Sequence, residues 1–152
     1  MNTASQNRLN KVHPELAKRI TLLIQTLANQ GHTVEVVQGL RTFAEQDELY
    51  KQGRTKPGQV VTKAKGGQSN HNYGLAVDLC PFVSGKPQWN DNPGFLRIGV
   101  EAAKLGLDWG GSWKKFIDKP HVQLPGPTIA QCLALYNKGG LENVWAKVPP
   151  LV

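Results

Sequence analysis

His71, Asp78 and His121 are two imidazoles and a carboxylate, the side chains that a zinc-type divalent ion takes as ligands. Three protein ligands leave a tetrahedral ion one open position for water, the arrangement of a catalytic rather than a structural zinc. Asp118, in the turn Asp118-Lys119-Pro120-His121, adds a spare carboxylate beside the last ligand. A carboxylate held there can take a proton from an attacking water and return it to a leaving amine. The alternative reading of Asp118 is a solvated turn residue. Spacing restricts the geometry further. On one helix, His71 and Asp78 would lie about 10 Å apart along the axis. Zinc bonds are only about 2 Å long, so a helix cannot put both on one ion. Gly74 breaks a helix in any case, and Ala76 to Leu79 reads as a short strand. A ligand in a turn, a reversal at Gly74 and a second ligand on a strand can converge. His/His/Asp sets accept several ions, so zinc is the expectation among them.

Four further residues carry chemical readings of their own. Arg41, in Gln38-Gly39-Leu40-Arg41-Thr42, follows a strand and precedes a helix, where a side chain can project into a cleft. Its guanidinium can hold a substrate carboxylate or stabilise an oxyanion; a surface ion pair is the alternative. Ser69 can hydrogen-bond a substrate or a neighbouring ligand, but no Ser–His–acid order supports a nucleophile. Gln123 lies two residues beyond His121, on the same strand face, and can orient that ligand. Cys80 follows Asp78 at strand spacing, so a soft fourth ligand or a His121-paired nucleophile stands beside the simpler reading of a small buried residue. His13 and His32 fall at helix ends and read as ordinary polar residues.

The elements that must position these groups are legible in outline. Apolar residues from Leu9 to Leu27 recur near a 3.6 period, and Pro14 places the helix start close to His13. Val34 to Val37 is a β-rich run ending at Gly39. Thr42 and Glu45 form a capping box for a helix that runs to about Lys51 and ends at Gly53. Arg54 to Asn70 lacks periodicity and reads as a long exposed loop beside the site. Val83 to Pro87 suits a hairpin turn. Asn92 is the expected cap of a helix to Leu105, with Pro93 at its first position and Gly106 beyond its end. His121 to Leu124 is a short strand, and two short helices, Thr128 to Tyr136 and Leu141 to Lys147, are divided by Gly139-Gly140. This irregular order favours α+β over a parallel sheet with alternating helices.

Length and composition set bounds. The 152 residues suit one domain with its own core, in which residues 126–152 form a helical extension packed on the rest. Two cysteines, Cys80 and Cys132, are too few for a disulfide framework. No apolar stretch approaches the roughly 20 residues needed to span a bilayer. Met1 to Arg8 has no apolar run of the signal-peptide type, so the expectation is a chain made in the cytoplasm without an export route of its own. The net charge of +7 favours an anionic partner. Its lysines and arginines are scattered and no nucleic-acid-binding motif appears, so the anionic cell envelope fits at least as well as nucleic acid.

Three motifs follow one another along the chain: Ser69-x-His71-x-x-Gly74-x-Ala76-x-Asp78, then Trp109-Gly110-Gly111-Ser112-Trp113, then Asp118-x-Pro120-His121-x-Gln123. Together they resemble the VanY/CwlK-type zinc peptidases of peptidoglycan, over roughly Gln38 to Leu124. That family includes D-alanyl-D-alanine carboxypeptidases and the L-alanyl-D-glutamate endopeptidases found among phage endolysins. The resemblance implies a small antiparallel sheet with flanking helices and Zn2+ in an open cleft, held by His71, Asp78 and His121. It implies Asp118 as acid/base, Arg41 as the arginine of the site and a match at Gln46 with no assigned role. Ser69, Trp109 and Trp113 would then touch substrate, a tryptophan forming the cleft wall. Aspartate rather than glutamate at position 118 resembles the endopeptidases. The implied function is a monomeric zinc peptidase that cuts stem peptides between L-alanine and D-glutamate, as a phage or prophage lysin released by a holin. A D-alanyl-D-alanine carboxypeptidase and a non-catalytic wall-binding module are the alternatives.

Overall fold

The computed structural model describes residues 1–151. Its sheet is antiparallel throughout and follows the strand order β1-β2-β5-β4, with β3 attached to β2. The strands are β1 (Thr33–Gln38), β2 (Ala76–Val83), β3 (Lys86–Pro87), β4 (Asp108–Trp109) and β5 (His121–Gln123). The helices are α1 (Thr3–Leu9), α2 (Pro14–Asn29), α3 (Phe43–Lys51), α4 (Asn92–Lys104) and α5 (Ile129–Trp145). The architecture is the α+β arrangement expected.

Helix α2 starts where Pro14 directs it, with the His13 side chain accepting from the Glu15 backbone N–H as its cap. Its apolar stripe, Leu16, Ile20, Leu23, Ile24 and Leu27, is buried against the sheet and α4. Each such side chain is worth about 1.5–3 kcal/mol against exposure. Leu9 and Val12 belong to the same core but lie outside α2: Leu9 ends a separate helix, Thr3–Leu9, capped by Asn2, and Val12 lies in the turn that joins the two helices. Helix α3 has the Thr42/Glu45 capping box in both directions. The start of α4 differs by one residue from expectation. Asp91, not Asn92, is the cap: its carboxylate accepts from the Gly94 N–H at 2.9 Å, and Asn92 and Pro93 form the first turn. An ionised acceptor at a helix N-terminus also gains from the helix dipole, which an asparagine would not.

Strand β2 is the centre of the site. It runs beyond Leu79 to Val83 and turns through Ser84 and Gly85, both at positive φ, into β3. Two successive left-handed residues match the twist of a two-residue hairpin. A register shift in β1 between Val36 and Gln38 brings Gln38 opposite Asp78. On the other side of β2, Asp78 is the direct cross-strand partner of His121 in β5. Helix α5 is interrupted at Gly139 and Gly140, the latter at φ +71°, as the two-helix reading anticipated. Its Trp145 indole N–H donates to the Tyr73 carbonyl at 2.7 Å, and Tyr136 packs on Phe43 and Tyr73. Cys132 and Val144 of α5 join the core.

Helix α1 is tied to the sheet by polar groups. The Ser5 hydroxyl, fully buried, donates to Glu35 at 3.1 Å and accepts from the Val36 N–H at 2.8 Å. Ser5→Ala strands the buried Val36 N–H and leaves the Asn2 N–H as the remaining donor to Glu35 Oε1, a loss of about 1–3 kcal/mol. The expected result is a lower denaturation midpoint in urea with an unchanged slope, measured by circular dichroism.

Candidate metal centre and cleft

The first ligand is set by a 3₁₀ turn, Asn70–Tyr73. The Ser69 hydroxyl accepts from the His71 N–H at 3.2 Å and caps this turn, while the Asn72 amide oxygen accepts from Ser69 and Gly67. Asn72 also donates to the Arg41 carbonyl at 2.9 Å, and the Arg41 N–H donates to the His71 carbonyl at 2.9 Å. The ligand turn and the Arg41 segment are thereby one unit. Gly74 then reverses the chain at φ +66°, and a β-carbon there would sit 3.0 Å from the Trp145 ring. Only glycine fits both the left-handed backbone and that contact.

The imidazole tautomers are fixed from behind. The His71 Nδ1 lies 3.0 Å from the Gly39 carbonyl, an acceptor only, so Nδ1 carries the proton and Nε2 the lone pair. His121 is arranged the other way round. Its Nε2 donates to the Gln123 amide oxygen at 2.7 Å, which also accepts from Asn70 at 3.0 Å, and its Nδ1 faces the site. His71 Nε2 lies 3.2 Å from Asp78 Oδ1, and His121 Nδ1 lies 3.7 Å from the same oxygen. Ligand atoms from all three residues fall within 4.8 Å of one another. Asp78 Oδ1 is buried and has no hydrogen-bond donor. Two imidazole nitrogens facing a buried carboxylate oxygen without a donor form a set of electron-pair donors that a cation would satisfy. The residues therefore fit a divalent metal ion.

Charges in the site are tuned by burial and by one another. Burial opposes the Asp78 carboxylate, yet the neighbouring His71, His121 and Arg41 outweigh it and hold its carboxyl below the usual range. Burial, followed by His71, pushes His121 below the ordinary imidazole value, so it is neutral and free to bind metal at pH 7. Asp118 moves in the opposite direction, up to about 6, from burial first and the Asp78 charge second. Its carboxylate lies 3.8 Å from His121 Nδ1 and faces the cleft with about half of the side chain exposed. A carboxyl that titrates near neutrality beside a metal set is suited to taking and returning protons.

The cleft has a volume of about 380 Å³, and its lining includes Arg41, Ser69, Trp113, Asp118 and Gln123 with the three ligands. Arg41 Nη1 donates to the Gln46 amide oxygen at 2.8 Å, and its Nη2 lies 3.9 Å from Asp78 Oδ2. Gln46 is fully buried, and its amide also donates to the Ala64 carbonyl. This gives Gln46 the role the sequence left open: it aims Arg41 and pins the long loop.

One sequence expectation changes here. Trp109 does not line the cleft. Its ring packs where a β-carbon on Gly99 or Gly111 would stand, and its indole N–H donates to the Lys119 carbonyl. The close approach that Gly110 allows is to the Asp118 turn, since a β-carbon there would lie 2.3 Å from the Asp118 carbonyl. Trp113 is the cleft tryptophan, its ring 5.1 Å from that of His121. Cys80 lies outside the ligand set, buried with its thiol pushed upward by burial, and so reads as core. Asn72 was not anticipated, although its place three residues after Ser69 is a capping-box spacing.

Comparison with known proteins agrees with this geometry. A family model described as D-alanyl-D-alanine carboxypeptidase, of the peptidase M15 group, matches residues 62–124. The chain is 42% identical over 135 residues to the peptidoglycan L-alanyl-D-glutamate endopeptidase CwlK of Bacillus subtilis, covering 79% of this chain and 81% of that protein. It is 30% identical to the L-alanyl-D-glutamate peptidase of Escherichia phage T5, covering 71% of this chain and 80% of that one. The crystal structure of the Serratia marcescens L-Ala D-Glu endopeptidase ChiX superposes with a TM-score of 0.62 at 30% identity, over 82% of this chain and 89% of the other.

Replacing Gln123 by alanine frees the His121 ring without touching a ligand. Metal affinity is expected to fall about 10- to 100-fold, the usual cost of losing such a support. Competition with a chromophoric chelator measures it, and Gln6→Ala, on the exposed face of α1, serves as the unaffected control.

Proposed function

The chain belongs to the M15 peptidase family, and from that membership we propose a zinc-dependent peptidoglycan endopeptidase that cuts stem peptides between L-alanine and D-glutamate. One observation carries the reading: His71 Nε2, Asp78 Oδ1 and His121 Nδ1 converge on a buried site without a donor, with Asp118 beside them. A zinc ion held there would supply Lewis acidity, polarising the scissile carbonyl and acidifying a water. Asp118 accepts the proton of the attacking water. The carbon–nitrogen bond then breaks, and Asp118 passes that proton to the amine of the departing D-glutamate. Arg41, aimed by Gln46, stabilises the negative charge that develops on the carbonyl oxygen. Trp113 walls the cleft, and Ser69 acts by holding the His71 turn.

Two relatives named as L-alanyl-D-glutamate peptidases, each matched over most of its length, support this bond. The phage relative supports a lysin role, in which a monomer of one peptidase domain, residues 1–152, reaches wall peptidoglycan after holin-type release. Among the described residues no helix is long and apolar enough to cross a membrane. The family description favours a second reading, a D-alanyl-D-alanine carboxypeptidase with the same metal and base.

Incubation of the zinc-loaded protein with whole peptidoglycan, followed by mass spectrometry, is expected to yield new D-glutamate amino termini. Release of D-alanine alone would select the carboxypeptidase, and no new ends would leave a wall-binding module. Asp118→Asn is expected to lower kcat by about 10²- to 10⁴-fold with metal still bound. The pH profile follows from the same group. The base must be ionised, so kcat/KM rises with pH through the Asp118 pKa, about 6 without metal and lower beside a dication. An acid limb at or below pH 6 that vanishes in Asp118→Asn meets this expectation.

A further inference from the structure

The catalytic cleft continues into a second groove that the reaction above does not use. It is walled by Val60 and Val61 on the long loop and by Phe116 and Ile117 on the segment leading to Asp118. It joins the cleft along Thr62, Ala64, Gln68, Trp113 and Asp118, which line both. Its apolar walls are strongly exposed, with Phe116 65% and Ile117 61% accessible. Phe116 is one of two non-glycine residues at positive φ among the described residues, at +54°. Left-handed backbone at a bulky residue is unfavourable and concentrates at functional sites. Here it accompanies a specific contact. Lys63 Nζ lies 3.5 Å from the Phe116 ring centroid, a cation–π pair that joins the two walls and holds the ammonium at the groove. The charged residues of the groove are Lys63 and, at the end shared with the cleft, Asp118.

We infer that this groove is the specificity subsite for the D-glutamate residue, with Lys63 reading its free carboxylate. The inference rests on the proposed endopeptidase function. In a stem peptide the D-glutamate joins its neighbour through the side-chain carboxyl. Its free carboxylate therefore sits on the carbon bonded to the scissile nitrogen. That places the carboxylate carbon two bonds from the scissile nitrogen, with two methylenes branching from the same α-carbon. A groove that opens from the cleft with one cation and apolar walls matches this sequence of groups. Lys63 is exposed, and a contact with one ring face leaves its ammonium free to donate to a carboxylate. Val61, Phe116 and Ile117 then cover the methylenes.

The test compares two soluble muramyl stem peptides, one with the free D-glutamate carboxylate and one with that carboxyl amidated. The wild-type holoenzyme is expected to cut both and to prefer the acid by KM. Lys63→Gln should raise KM for the acid about tenfold, remove the preference and change kcat little, while Lys63→Arg restores it. Phe116→Ala should raise KM for both substrates. Lys18→Gln removes the same charge on α2, outside the groove, and should leave the acid-to-amide ratio unaltered. Wild type that cuts both peptides, with Lys63→Gln retaining the acid preference, overturns the subsite alone. Wild type that cuts neither overturns the endopeptidase reading and the subsite with it.

Discussion

Asp78 Oδ1 is a buried carboxylate oxygen with no hydrogen-bond donor, and His71 Nε2 and His121 Nδ1 both face it, at 3.2 and 3.7 Å. Such an arrangement is repulsive unless a cation lies among the three atoms. Much of the surrounding structure exists to keep the groups from turning away. The Gly39 carbonyl and the Gln123 amide hold the outer nitrogens of the two rings, so neither ring can rotate to find another partner. The cross-strand pairing of Asp78 with His121 fixes their separation by backbone geometry rather than by side-chain choice.

Support reaches this centre from distant parts of the chain. Helix α5 grips the 3₁₀ turn of His71 through the Trp145 bond to the Tyr73 carbonyl and the packing of Tyr136. Gln46 couples Arg41 to the loop that borders the cleft. Trp109, wedged against Gly99 and Gly111, holds the turn that follows Asp118 through the Lys119 carbonyl. Rigid elements thus carry the ligands, and the walls that would meet substrate lie on loops.

The two carboxylates of the site differ because their surroundings differ. Asp78 sits among His71, His121 and Arg41 and is held ionised. Asp118 is partly buried and near enough to feel the Asp78 charge, and because His71 and Arg41 offset these two effects only in part, it is pushed towards neutrality. One carboxylate is held ionised and the other is poised nearer neutrality, a division set by environment rather than residue type.

The grouping of His71, Asp78 and His121 with Asp118 nearby and the α+β class were legible in the sequence. Metal chemistry needs particular side chains, and the glycine and proline punctuation around His71, Asp78 and His121 ruled out a helix. Periodicity likewise revealed α2 and the break at Gly139-Gly140. What only the tertiary structure decided depends on pairing between distant residues. The β1 register shift, the Asp78–His121 pairing, the buried Ser5–Glu35 bond and the Gln46–Arg41 contact leave no local period to read. Trp109 and Trp113 show the limit most clearly. They share one motif, yet one packs against α4 and the other against His121, because the sheet edge and the 3₁₀ turn between them send the two rings to different surfaces.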